Sequence, residues 1–229
     1  MIRAVFFDLD GTLTDSEPIH FEAFNAALAE SGLQIARADY FSKLIGFNDR
    51  DVFSYVLEER GIAPDSARIA ELIAHKHQVV ERLIATRELL YPGAAGFVRK
   101  CAERFPLMLV TGALRAEAEQ ILRRAQLREL FLDIIAAEDA EFGKPAPDGF
   151  NAALGRIGFI LRQRDPVLPE QVMVVEDTPA GIDAAHRAGM KVLAVCNTAG
   201  ADALNEADLV RSSLAETELD DVLRHFART

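Results

Sequence analysis

The chain has 229 residues, half of them hydrophobic, enough for one large domain or for a core with a small second domain. A net charge of −11 and a pI of about 5.0 argue against a general nucleic-acid or membrane-surface binder, because both need basic patches. Cys101 and Cys196 show no metal-ligand spacing and suit free thiols, and no span of about twenty apolar residues marks a membrane helix, so a cytoplasmic protein is expected.

Residues 2–7 predict a buried strand that ends in Asp8 and Asp10, followed by Gly11 and Thr12. Residues i and i+2 of an extended chain point the same way, so the two carboxylates crowd together at the strand's C-terminal end. That is unfavourable unless a cation or a reaction uses them. Open α/β sheets place their ligand sites at such ends.

Residues 18–31 predict a helix. Ser16 or Glu17 caps it, Pro18 suits its first turn and Gly32 stops it. Ile19, Ala23 and Ala27, with Phe24 and Leu28, recur at helical spacing. The helical pattern continues to about residue 88, punctuated at Gly46 and between Gly61 and Pro64. This predicts a helical cap over 16–87, inserted into a core made of 1–15 and 88–229.

After Pro92 and Gly93 the rhythm changes. A helix over 94–104 leads to a strand at 107–110, Thr111 and Gly112, and a helix over 115–126. A strand at 133–135, a segment from Gly143 to Pro147 and a helix ending near 157 follow. Residues 159–170, with Pro166 and Pro169, read as a connecting loop. A strand at 172–175 precedes Glu176 and Asp177, and a helix to 189 is capped by Thr178 with Pro179 in its first turn. Strands at 192–195 and 208–210 complete an α/β fold, a doubly wound parallel sheet with the inserted helical cap.

Four polar groups each follow a predicted strand: Asp8 with Asp10, Thr111, Lys144, and Glu176 with Asp177. A parallel sheet brings them to one edge. Hard oxygen ligands in small number suit Mg²⁺, and a lysine with a hydroxyl suits phosphate oxygens. There is no Cys or His cluster for zinc and no glycine-rich nucleotide loop.

These motifs resemble the haloacid dehalogenase superfamily, in particular its phosphatases and β-phosphoglucomutases with a small helical cap. They are Asp8-Leu9-Asp10-Gly11-Thr12, Thr111-Gly112, Lys144-Pro145-Ala146-Pro147-Asp148, and Glu176-Asp177-Thr178-Pro179-Ala180-Gly181. The resemblance implies that Asp8 is a nucleophile forming an aspartyl-phosphate and that Asp10 is the general acid and base. It implies Mg²⁺ held by the Asp8 side chain, the Asp10 carbonyl and Asp177, with Glu176 close by. Thr111 and the Gly112 amide would hold phosphoryl oxygens, with Thr12 also at the substrate, and Lys144 would offset the excess negative charge. In the cap, His20, Gly46 and Lys76 match substrate-reading positions. Each has a plainer reading: a helix-surface histidine, a helix stop and a solvated lysine. Thr111 equally suits a helix cap.

Two departures stand out. Where the mutases carry a cap-loop arginine this chain has Asp49, with Arg50 next. Where they carry a serine and a lysine after the Thr111 motif it has Ala113 and Leu114, with Arg115 following. Unless Arg50 and Arg115 take over, a second phosphate is poorly held. The expectation is therefore a phosphatase of small phosphate monoesters such as sugar phosphates or phosphoglycolate-like acids. A sugar-phosphate mutase and a non-catalytic sugar-phosphate sensor are the alternatives, and monomer and homodimer stay equally open.

Overall fold

The computed structural model describes residues 1–229 except Gly46, Gln163, Arg164 and Thr229. Runs of four or five apolar residues form the central strands, because a strand covered on both faces has no solvent side to mark with polar residues. In chain order these are β1 (Ala4–Phe7), β2 (Leu107–Val110), β3 (Phe131–Ile135), β4 (Val172–Glu176), β5 (Lys191–Val195) and β6 (Leu209–Arg211). They make one six-stranded sheet, order β3-β2-β1-β4-β5-β6, with every pairing parallel. The order reverses direction between β1 and β4, the place where an open α/β sheet leaves a crevice.

The pleat sends neighbouring side chains to opposite faces. Phe6 joins the buried cluster formed with Phe150 and Ile157 of α7 (Asp148–Leu161) and Ile182 of α8 (Pro179–Arg187). Phe7 faces the other way, edge-on to Phe97 of α5 (Ala94–Ala102) at 6.3 Å and to Phe131 at 5.9 Å. Helix α6 (Arg115–Arg124) packs near β3, and α9 (Leu219–Phe226) packs against α5.

The chain divides into two compact units, Met1–Asp15 with Leu89–Thr229, and Ser16–Glu88. The second unit contains α1 (Glu17–Ala29), α2 (Arg37–Asp39) running into a π-helical turn (Tyr40–Leu44), α3 (Asp49–Glu59) and α4 (Ser66–Thr86). Its core is built from Phe24, Leu28, Tyr40, Val52, Phe53, Leu57 and Ile69. Among the described residues no helix is long and apolar enough to cross a membrane.

Several boundaries differ from the sequence expectation. Helix α1 ends at Ala29, and Ser31 and Gly32 instead form a turn whose amides reach back to Leu28 and Ala29. Strand β3 starts two residues early, because Phe131 is buried beside Phe7. Helix α7 runs to Leu161, so the loop expected from residue 159 starts later; it ends where Arg162 turns left-handed at φ 46°. Residues 163 and 164 of that expected loop lie outside the described residues. Helix α9 went unpredicted: Leu219, Val222 and Phe226 form its buried face.

Candidate active site

Parallel pairing continues past β1, where the Asp8 amide donates to the Val175 carbonyl at 3.0 Å. The chain then turns tightly. The Gly11 amide donates to the Thr14 carbonyl at 2.7 Å, and the Leu13 and Thr14 amides return to the Leu9 carbonyl. Gly11 sits at φ +83°, and a Cβ there would lie 2.0 Å from Asp177 Oδ2. Only glycine tolerates both the left-handed backbone and that approach.

Asp8 is buried, with 6% of its surface exposed. Lys144 Nζ bridges Asp8 Oδ1 and Glu176 Oε1, each at 2.5 Å, and donates to the Val110 carbonyl at 3.3 Å. Burial alone would favour neutral lysine, but the two carboxylates outweigh it and push the lysine pKa up, so Lys144 stays charged. Burial pushes the Asp8 carboxyl well above the usual carboxylate range; Lys144 opposes this, while Glu176, Asp177 and Asp10 reinforce it.

Glu176 is fully engaged. Beyond Lys144, its Oε2 accepts from the Asp177 amide at 3.0 Å, the Thr178 hydroxyl at 3.1 Å and the Thr178 amide at 3.3 Å. Thr178 also caps α8 by accepting from the Gly181 amide, with Pro179 in the first turn. A Cβ on Gly181 would lie 2.0 Å from the Glu176 carboxyl carbon. Helix α8 therefore approaches the carboxylate closely because residue 181 has no side chain.

Asp177 accepts from the Thr12 hydroxyl at 2.8 Å through Oδ1. Its Oδ2 is buried and meets no donor in hydrogen-bonding geometry. Burial, then Glu176, pushes its pKa up to about 7, against the hydroxyls of Thr198 and Thr12 and the charge of Lys144. Asp8, Glu176 and Asp177 can each offer an oxygen within 4.8 Å of the others. Three carboxylates face one lysine, and one buried oxygen lacks a donor. A hard divalent cation fits such a donor set, and Mg²⁺ is the member of that class suited to few protein ligands.

Asp10 belongs to the same edge but not to this cluster. Its carboxylate lies 3.5 Å from the hydroxyls of both Thr14 and Thr111. Thr111 is buried and its Oγ1 accepts from the Ala113 amide at 3.0 Å, a turn ahead of α6; the expected capping role is not seen, because the N-cap of α6 is Leu114 and no side chain caps it. Gly112 is exposed, with open space beside it.

The other expected substrate contacts have the following surroundings. The Thr12 hydroxyl is buried and donates to Asp177. Arg115 binds Asp139, donates to the Ile134 carbonyl at 2.7 Å and lies 3.7 Å from Asp133, so the acids around β3 hold its guanidinium. Within the helical unit, Lys76 is 4% exposed, which excludes the solvated-lysine reading. It pairs with Asp49 at 2.8 Å and stacks 4.9 Å from the Phe24 ring centre; His77 meets the other Asp49 oxygen at 2.8 Å. His20 is half-buried on α1, and Arg50 is exposed near the start of α3. Gly46 lies outside the described residues.

Sequence reasoning missed Asn197, in the turn after β5. Its side-chain amide donates to the Gly11 carbonyl at 2.8 Å. An amide residue after a strand reads simply as a turn former, so no motif marked it.

Residues 2–189 match the model of the haloacid dehalogenase-like hydrolases. The chain belongs to that family. It is 31% identical to (DL)-glycerol-3-phosphatase 1, mitochondrial, of Arabidopsis thaliana, over 94% of this chain and 71% of that protein. It is 30% identical to the phosphorylated carbohydrates phosphatase of Thermotoga maritima, over 83% of each chain. Among solved structures, β-phosphoglucomutase of Clostridium difficile superposes with a TM-score of 0.82 at 22% identity, covering 100% of this chain and 98% of that one; it shares the fold. This haloacid dehalogenase-like chain is therefore an enzyme of a hydrolase family, and several of its relatives are named phosphatases.

Proposed function

We propose that this hydrolase is a Mg²⁺-dependent phosphatase of small phosphate monoesters, sugar phosphates or phosphoglycolate-like acids. The observation that carries the reading is the buried, donor-free Asp177 Oδ2 beside Asp8, Glu176 and the single Lys144. Asp8, the Asp10 carbonyl and Asp177 would hold the cation, with Glu176 reserved for Lys144. When bound, Mg²⁺ neutralises part of the charge that otherwise keeps an anionic carboxylate from an anionic phosphate.

The chain's own residues then divide the chemistry. Asp8 attacks phosphorus and forms an aspartyl-phosphate as the ester oxygen leaves. Lys144 favours the ionised form of Asp8 against its burial. Asp10 gives its proton to the leaving oxygen, then takes one from the water that opens the aspartyl-phosphate. The Thr111 hydroxyl and the Gly112 amide hold the phosphoryl oxygens. The helical unit would read the rest of the substrate through His20, Gly46, Arg50 and Lys76.

Hydrolysis is favoured over mutase chemistry because Arg115, one of the two cations that could hold a second phosphate, is held by Asp133 and Asp139. The named activities of the two phosphatase relatives support the same choice.

The test is simultaneous measurement of inorganic phosphate and isomerised sugar phosphate. Substrates are a panel of small monoesters in Mg²⁺, with β-glucose 1-phosphate and a trace of its bisphosphate included. Free phosphate is expected, lost with Asp8→Asn and with chelator. Glucose 6-phosphate without free phosphate means a mutase, and turnover that survives Asp8→Asn overturns the mechanism.

A further inference from the structure

The two oxygens of the Asp177 carboxylate are treated differently. Oδ1 accepts from the buried Thr12 hydroxyl at 2.8 Å. Oδ2 is buried and meets no donor in hydrogen-bonding geometry. It lies against the bare face of Gly11, where a Cβ would come within 2.0 Å of Oδ2 and 2.4 Å of the Thr198 hydroxyl. A carboxylate gripped through one oxygen presents the other in a fixed direction, the usual way in which a neighbour orients a metal ligand.

The grip depends on where the turn after Asp10 lies. Thr12 is β-branched and stiff about χ1, so the backbone of residues 11 and 12 decides where its hydroxyl points. That backbone is held from the end of β5. The Asn197 side-chain amide donates to the Gly11 carbonyl at 2.8 Å and to the Thr12 carbonyl at 3.4 Å. Carbonyl oxygens only accept, so the residue facing both must offer N–H. The Asn197 amide, the 11–12 turn, the Thr12 hydroxyl and Asp177 Oδ1 thus form one chain of contacts, which ends beside the oxygens of Asp8 and Glu176.

We infer that Thr12 and Asn197 are positioning residues for the cation: Asn197 holds the Gly11 and Thr12 carbonyls, Thr12 holds Asp177 Oδ1, and Asp177 Oδ2 is thereby kept available to Mg²⁺. The inference rests on the proposed function only in taking Asp177 as a Mg²⁺ ligand.

The experiment titrates Mg²⁺ alone, without substrate, into wild type, Thr12→Val, Thr12→Ser, Asn197→Ala and the double variant Thr12→Val with Asn197→Ala. Affinity is read by calorimetry at one pH, each metal-free protein is melted, and Asp177→Asn marks which binding belongs to this site. Thr12→Val, which keeps the shape and removes the hydroxyl, is expected to weaken Mg²⁺ by about 10–100-fold, and Asn197→Ala by about 10-fold. Thr12→Ser, which restores the hydroxyl, should bind within about threefold of wild type. The double variant should be no more than about threefold weaker than Thr12→Val, because the amide acts through the hydroxyl. A merely structural role would lower the melting temperatures and leave the affinities of the folded variants alone. Unchanged affinity in folded Thr12→Val overturns the inference. So does unchanged affinity in Asn197→Ala, which decides the matter if Thr12→Val does not fold, and so do losses that multiply in the double variant. A wild type that binds no Mg²⁺ overturns the cation site and this role with it. Absence of ester hydrolysis in a protein that binds Mg²⁺ as described would overturn the phosphatase reading alone.

Discussion

Replacing Gly181 with alanine sets helix propensity against packing. Alanine in a helix is more favourable than glycine by at most about 1 kcal/mol. At residue 181, however, the new Cβ would lie 2.0 Å from the Glu176 carboxyl carbon and 2.1 Å from both its oxygens. Ordinary carbon contacts begin near about 3.5 Å, so Glu176 must retreat by roughly 1.5 Å. It is 1% exposed and holds Lys144 as well as the amides of residues 177 and 178, so it has no solvent to retreat into. Breaking a buried ion pair costs about 3–5 kcal/mol. Net destabilisation of about 2–4 kcal/mol follows, a fall in Tm of roughly 4–16 °C for a chain of this size. Lys144 moves with Glu176 and Asp8 with Lys144, so kcat/KM on a phosphate monoester should fall about 10²-fold. Gly155→Ala is the control: it sits on an exposed part of α7 with nothing within 4 Å of its Cβ, and it should raise Tm by a few degrees, about 2–4 °C. Thermal melts of the two variants decide the matter. If Gly181→Ala melts with or above Gly155→Ala, the close approach of α8 to Glu176 does not hold the site.

Two further outcomes follow from the same geometry. With its pKa raised from 3.8 to about 7, Asp177 keeps a proton in the folded chain that the unfolded chain has lost between those values. Metal-free stability from this group is thus fully present below the lower value and is lost as pH rises through about 7. Mg²⁺ must displace that proton, so its stabilisation in thermal melts should grow from about pH 5 to about pH 8; a pH-independent gain contradicts this. In the helical unit, Asp49→Ala leaves the 4%-exposed Lys76 without its carboxylate and should destabilise that unit by about 3 kcal/mol, seen as faster hydrogen exchange in α4. Unchanged protection would show that the pair contributes little.

Strands β1, β2 and β4 were legible because burial on both faces writes them as uninterrupted apolar runs, each closed by a polar residue that chemistry requires. Ends of elements were less legible. Helix α7 runs beyond 157 through exposed Phe159, which carries no amphipathic signal. The partners of site residues were not legible at all, because they come from distant parts of the chain. Lys76 and Asp49 lie on different helices, and Thr12 meets Asp177 across 165 residues. Asn197 acts on backbone carbonyls, which look the same in every sequence.

The ends of the helical unit meet at one spot. The Asp15 amide donates to the Leu89 carbonyl at 2.8 Å, the Tyr91 amide to the Leu13 carbonyl at 2.9 Å, and Thr14 pairs antiparallel with Leu90. The chain leaves the sheet and returns to it through a two-rung ladder, so the excursion between closes like a hairpin of arbitrary size. Lengthening it alters loop entropy only logarithmically, by about 0.6 kcal/mol per doubling. Such a gateway lets evolution, or a protein engineer, exchange the excursion for another without rerouting a single strand of the catalytic sheet.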